Sequence, residues 1–190
     1  MYSSQKDIIW LIYNNPSTVF TLSSVALLSG EVNFKSLNQK LNYFVRTGKL
    51  LNPRKGIYTK PEYDTLELSC VLYTPSYISL EFVLQKAGVI FQYDSSITAV
   101  SYLSRSLEID GHTISYRKIK NEILIDLSGI KRIDNINIAS PERAFLDMLY
   151  LNRSYYFDNI RALDTSMIQR LLPMYDSKSL TERALKYIKK

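Results

Sequence analysis

Few residues in this chain have the types and spacing that covalent or metal chemistry needs. His112 is the single histidine and Cys70 the single cysteine, so neither a His-based metal cluster nor an internal disulfide can be built from them. His112 directly follows Asp110-Gly111, where a turn role suffices, and no Ser or Cys motif accompanies it. Cys70 lies among apolar residues, as a core thiol does, and nothing in its local sequence pairs it with His112 as nucleophile and base. The acids Asp126, Asp134, Glu142 and Asp147 invite a metal-nuclease reading. An Asp followed by a Glu-x-Lys strand is missing, however, and Glu142 and Asp147 fit helix-start and surface roles. Glu142 and Arg143 could also form a structural ion pair or cap. There is no Walker A loop and no dinucleotide fingerprint. The sequence thus implies no enzyme: no catalytic residue, no metal and no cofactor.

Binding chemistry is better represented. The net charge of +6 over 190 residues is unevenly spread. Residues 33–60 hold seven bases (Lys35, Lys40, Arg46, Lys49, Arg54, Lys55, Lys60) and no acid, while residues 170–190 hold six bases against Asp176 and Glu182. The remainder is acidic, and residues 61–169 are close to neutral at −4. A local positive field without internal counter-charge is what a phosphate-backbone binder presents, although lysine-rich solvated faces also occur on ordinary surfaces. Among the 23 aromatic residues, 15 of them Tyr, most serve cores. A few exposed rings could stack on unpaired bases of RNA or single-stranded DNA.

The elements that must carry these residues follow from caps and periodicity. Ser4 and Asp7 resemble a capping box for a helix through Ile8, Ile9, Leu11 and Ile12, ended at Asn14-Asn15-Pro16. Val19-Phe20 reads as a short strand. Thr21 caps a second helix closed by Gly30, and Asn33 caps a third in which Phe34, Leu37, Leu41, Phe44 and Val45 share one side. Leu50–Pro53 and Gly56–Thr59 then read as two strands around an Arg54-Lys55 tip. Three helices followed by a basic hairpin is the order of a winged helix-turn-helix. Off the apolar side of its third helix lie Lys35, Ser36, Asn38, Gln39, Lys40, Asn42, Tyr43 and Arg46. These include the side-chain types that pair with adenine and guanine edges. With Lys49, Arg54 and Lys55 on the flanking backbone, they are the expected double-stranded DNA contacts.

Further along, Tyr63–Thr74 reads as a connector, and Pro75–Ser79 as the lead into a helix over Leu80–Ala87. Residues 97–138 read as β-rich, with an Asp110-Gly111 hairpin and strands at Ile123–Leu127 and Ile133–Ile138. Ser140-Pro141-Glu142 starts a helix, and Leu180–Lys190 forms a last one with its bases outward. The expected fold class is α+β. A winged helix-turn-helix at 1–62 precedes a mixed α/β domain at 63–190, with an antiparallel hairpin-containing sheet and flanking helices.

Three segments carry a family resemblance in order. They are Arg54-Lys55-Gly56-Ile57-Tyr58, Pro75-Ser76-Tyr77-Ile78-Ser79-Leu80-Glu81, and Ala139-Ser140-Pro141-Glu142-Arg143-Ala144-Phe145-Leu146-Asp147. Over roughly residues 5–150 the chain resembles the AbiEi-like abortive-infection antitoxins of bacterial type IV toxin–antitoxin systems. The resemblance implies a winged helix that represses its own operon's promoter. It also implies a C-terminal domain that opposes a neighbouring nucleotidyltransferase-like toxin, without need of a stable complex.

The expectation is therefore a cytoplasmic antitoxin and transcriptional autorepressor. No apolar run approaches the ~20 residues that span a bilayer, Ile8–Tyr13 is too short for a signal-peptide core, and no membrane partner is expected. A homodimer on a palindromic site is one arrangement open to such a protein. The alternatives are a protein-interaction module using the winged helix as scaffold, or a stand-alone winged-helix regulator with no toxin partner.

Overall fold

The structure is a computed structural model and describes residues 7–188. The chain is of mixed α+β class, and it divides into two compact units between Leu72 and Tyr73 rather than at 62/63.

In the first unit, α1 spans Ile8–Asn14. Asp7 caps it by accepting a hydrogen bond from the Ile9 N–H at 3.2 Å, while the expected partner Ser4 lies outside the described residues. After β1 (Val19–Thr21) comes α2 (Leu22–Ser29), which opens on a reciprocal box between Thr21 and Ser24 and closes on Gly30 at φ +70°. Helix α3 (Phe34–Arg46) is capped by the Asn33 side chain, which accepts from the Ser36 N–H at 3.0 Å. Strands β2 (Leu51–Arg54) and β3 (Ile57–Thr59) follow, and the antiparallel sheet runs β1-β3-β2. Ile12, Val25, Leu37, Leu41 and Leu50 have no exposed surface, so one side of each helix and the loop after α3 meet in a single core. The connector expected after the hairpin is instead α4 (Thr65–Leu72). Its buried Glu67 carboxylate accepts from both the N–H and the hydroxyl of Thr18, at 2.8 and 2.5 Å. That charge-assisted pair holds α4 to the chain entering β1 and places it in the first unit.

The second unit is built on a six-stranded mixed sheet in the order β6-β7-β5-β4-β9-β8. Its strands are β4 (Ser76–Ile78), β5 (Ile97–Ser101), β6 (Arg105–Ile109), β7 (His112–Lys118), β8 (Ile130–Ile133) and β9 (Ile136–Ala139). Asp110 and Gly111 both have positive φ, +49° and +76°, which is the backbone of a type I′ hairpin turn and matches the twist of β6 and β7. Helix α5 covers Glu81–Lys86, α6 Asn121–Ile125, α7 Pro141–Leu151, α8 Thr165–Leu171 and α9 Lys178–Ile188. Three expectations are corrected. The lead into α5 contains the interior strand β4; Ile123–Leu127 is mostly helical rather than extended; and Ile133–Ile138 is two strands folded at Asp134, whose φ is +52°. The period-2 spacing of Ile123, Ile125 and Leu127 is misleading, because burial falls on the adjacent Ile123 and Leu124 while Ile125 and Leu127 are exposed.

A further correction concerns α7. Asp147 is not a surface acid and Glu142 is not the partner of Arg143. Arg143 and Asp147 are both fully buried, one helical turn apart, with Nε donating to Oδ1 at 3.3 Å. Asp147 also accepts from the hydroxyls of Ser79 (2.8 Å), Tyr175 (2.7 Å) and Tyr77 (3.1 Å). The other nitrogens of Arg143 donate to the carbonyls of Ile123 (2.7 Å) and Ser128 (2.8 Å) and to the Tyr77 hydroxyl (3.0 Å). Burial pushes the Asp147 carboxyl up, and Arg143 with the three hydroxyls offsets that only in part. Burial and the neighbouring carboxylate raise both tyrosines, so they remain protonated donors. Glu142 instead accepts from the Asp164 N–H at 3.1 Å.

Removing one member leaves the other charge buried alone. Arg143→Met should lower unfolding stability by about 3–5 kcal/mol, and adding Asp147→Leu should restore much of it. Urea unfolding of the two variants tests this; a single variant as stable as the parent would show that the pair is not what fixes α7.

Candidate nucleic-acid interface

Helix α3 presents one face to its own core and the opposite face to solvent. Lys35, Gln39, Asn42 and Arg46 recur at spacings of four, three and four, opposite the buried Leu37 and Leu41, and all four are exposed. The line is free of acids and ends with Arg46 in the last turn, where a cation also favours the helix dipole. Tyr43 flanks it, 53% exposed and edge-on to Phe44 at 5.8 Å between centroids.

Three other expected residues are committed within the unit. The Asn38 carbonyl oxygen accepts from the Tyr58 hydroxyl at 2.7 Å, and burial raises that phenol so it stays a donor. Lys40 is paired with Glu31 at 3.0 Å, with Glu31 the less exposed partner. That pair, with a second hydrogen bond from the Asn33 N–H, holds the Glu31 carboxyl below its ordinary range and therefore charged at neutral pH. Ser36 is half-buried in the first turn, where its N–H is taken by the Asn33 cap. Lys49 is exposed; its carbonyl accepts from the Tyr13 hydroxyl at 2.8 Å, and its ammonium lies 5.9 Å from the Phe44 ring centroid.

The hairpin that carries Arg54 and Lys55 is braced at both ends. Asn52 donates its amide to the carbonyls of Arg54 (2.9 Å) and Ile57 (2.6 Å), and Gly56 turns the chain at φ +81°. The Gly56 carbonyl in turn accepts from the Leu22 N–H at 3.1 Å, tying the hairpin tip to the first turn of α2. Lys55 is exposed and Arg54 half-buried.

The basic tail is less uniform than expected. Arg170, Lys178 and Lys186 are exposed, but Arg183 turns inward and donates to the Leu149 carbonyl at 2.9 Å. Lys189 and Lys190 lie outside the described residues. Glu31, Tyr58 and Asn52 are the partners that sequence reasoning missed. Each reaches its target through a turn or across to another element, and no local pattern signals such a contact.

Among the described residues, no group of three or more His, Cys, Asp or Glu side chains could hold a metal ion, and no helix is long and apolar enough to cross a membrane. No protein-family model matches the chain, and no curated protein matches it.

The Tyr58–Asn38 bond links the central strand of the first sheet to α3. Tyr58→Phe should cost about 1 kcal/mol, measured by urea unfolding, because it leaves the Asn38 oxygen unpaired. An unchanged midpoint would mean that water replaces the hydroxyl without loss.

Proposed function

We propose that residues 7–72 are a winged helix-turn-helix and that the protein is a cytoplasmic DNA-binding autorepressor of the AbiEi-like antitoxin kind. In this reading α3 enters the major groove of the operon's own promoter, β2 and β3 are the wing, and the second unit opposes a nucleotidyltransferase-like toxin. It carries no catalytic step. The observation that supports it most is the acid-free, exposed line Lys35–Gln39–Asn42–Arg46 on α3, in the same unit as a braced hairpin tipped by Arg54 and Lys55. Amide side chains read adenine and guanidinium reads guanine, whereas hairpin bases hold phosphate and fix position.

The geometry refines the roles. Asn38 serves Tyr58, so Gln39 and Asn42 are the amides left to read sequence. Lys40 is screened by Glu31 and contributes less field than Lys35 and Arg46 do.

A second reading, a protein-interaction scaffold, is favoured by one feature. Leu27 and Val32 beside the α2–α3 turn are 88% and 89% exposed, which is unusual for large aliphatic side chains clustered at one place. A gel shift on the DNA upstream of the gene, against unrelated DNA, separates the two; no shift at low salt together with co-purification of a protein would support the scaffold.

Under the first reading, Gln39→Ala and Asn42→Ala should erode preference for the cognate site while leaving binding to random DNA unchanged. Arg54→Ala with Lys55→Ala should weaken all sequences alike and reduce the log K against log salt slope by about two. Glu31→Gln should act in the opposite direction, tightening binding at low salt and steepening that slope by about one as Lys40 is released. Full-strength promoter binding by an Arg54, Lys55 and Lys40 triple alanine variant would remove the mechanism.

A further inference from the structure

Strand β8 is one edge of the second unit's sheet: β9 lies on its inner side, and among the described residues no strand lies beyond it. The β8–β9 ladder folds at Asp134-Asn135, with Ile133 opposite Ile136. That pair closes a two-residue turn and is hydrogen-bonded, so the next pair, Arg132 with Asn137, is not. The N–H and C=O of Arg132 consequently point away from β9. Ile130 has the same parity, and its N–H is bonded outside the ladder, to the Leu127 carbonyl at 3.0 Å.

The side chains on this edge are unusual in their order. Lys131, Arg132 and Ile133 are all exposed, and neither base makes an ion pair among the described residues. Ile133 is 55% exposed, and the preceding segment adds Ile125 and Leu127 at 67% and 73%. Between that segment and the sheet lies an apolar cleft of about 220 Å³, lined by Tyr77, Leu124, Ile125, Leu127, Ile130 and Asn137. The edge thus reads apolar, basic, basic, apolar.

A second copy of the chain is a poor occupant. Paired antiparallel about Arg132, the residue whose backbone groups face outward, β8 would set that cation directly opposite its own copy, and like charges directly opposite destabilise a strand pair; no acid of a second β8 would face Lys131 either. Two acids in the same places would instead gain cross-strand attraction on both faces of the sheet. We propose that β8 is a docking edge for an extended segment of a partner protein, one with two adjacent acidic residues flanked by apolar ones. Arg132 supplies the backbone pairing, Lys131 and Arg132 select the acids, and Ile130 and Ile133 meet the apolar flanks. Strand addition of this kind draws affinity from main-chain bonds and specificity from alternate side chains.

The test uses the full chain, isotope-labelled, titrated with a synthetic peptide carrying Val-Glu-Glu-Ile at its centre. Amide shifts should concentrate on residues 130–133. The exposed-site variant Lys131→Glu/Arg132→Glu, with its fold checked by circular dichroism, should lose at least about tenfold in affinity for that peptide. The same variant should gain affinity for a Val-Lys-Lys-Ile peptide, a reversal that mere loss of structure cannot produce. If neither peptide moves β8, or both bind the parent chain equally, the two bases only keep sheet edges apart and the proposal fails. It fails equally if sedimentation shows the parent chain self-associating and the charge-reversed variant not.

Discussion

Arg143 and Asp147 stand one turn apart on α7 with no solvent contact, and the arrangement of the second unit follows from that burial. An ion in an apolar interior loses several kcal/mol of hydration, and its counter-ion repays this only if the remaining donors and acceptors are also satisfied. Asp147 meets the requirement with hydroxyls from Tyr77 in β4, Ser79 just beyond it, and Tyr175 ahead of α9. Arg143 meets it with carbonyls of Ile123, Asp126 and Ser128. Those carbonyls face a guanidinium, and the segment from 121 to 128 turns around the cation. Gly129 belongs to the same constraint. Its φ is +74°, and a Cβ there would sit 3.0 Å from the Arg143 Cβ and 3.1 Å from Leu171, so any side chain would push the loop away from the charge it solvates.

This explains where the sequence was legible. From α2 through the hairpin, the boundaries of the first unit rest on local devices: Thr21, Asn33 and Gly30 sit beside the helices they start or stop, as Pro16 does after α1, and the basic hairpin lies between two short β-prone runs. Those devices act over three or four residues and can be read without knowing the fold. In the second unit the deciding interactions are long-range. Ser76–Ile78 is an interior strand because β5 and β9 flank it, although its own residues read equally well as the approach to α5. Asp147 looks like a surface acid because carboxylates rarely lie fully buried. Only its four donors, three of them far away in sequence, make the burial tolerable.

The same distinction applies to the candidate interface. Periodicity alone identifies which side of α3 is apolar, and hence the line of Lys35, Gln39, Asn42 and Arg46. It says nothing about which polar residues are already engaged. Asn38 lies only 40° of helical rotation from Asn42, yet Tyr58 claims it. Lys40 lies toward the α2–α3 turn, where Glu31 claims it, two residues upstream of the segment that had seemed free of acids. Side-chain chemistry nominates candidates, and tertiary hydrogen bonds reduce them.

Charge distribution, in turn, differs between the two units. Among the described residues, the first unit exposes bases on one face of α3, at Lys49 and at Lys55 on the hairpin, so its positive field is local. The second unit places its strongest opposite charges inside, where they cancel, and turns Arg183 toward a carbonyl. On its β8 edge two exposed bases stand side by side, Lys131 and Arg132, among isoleucines and a leucine. Two bases cannot hold a duplex against competing salt, since each neutralised phosphate contributes only a single counterion's release. On a strand edge, however, they stand beside backbone groups that need partners and apolar side chains that lose water on contact. The physics of that edge therefore favours a short acidic strand over nucleic acid.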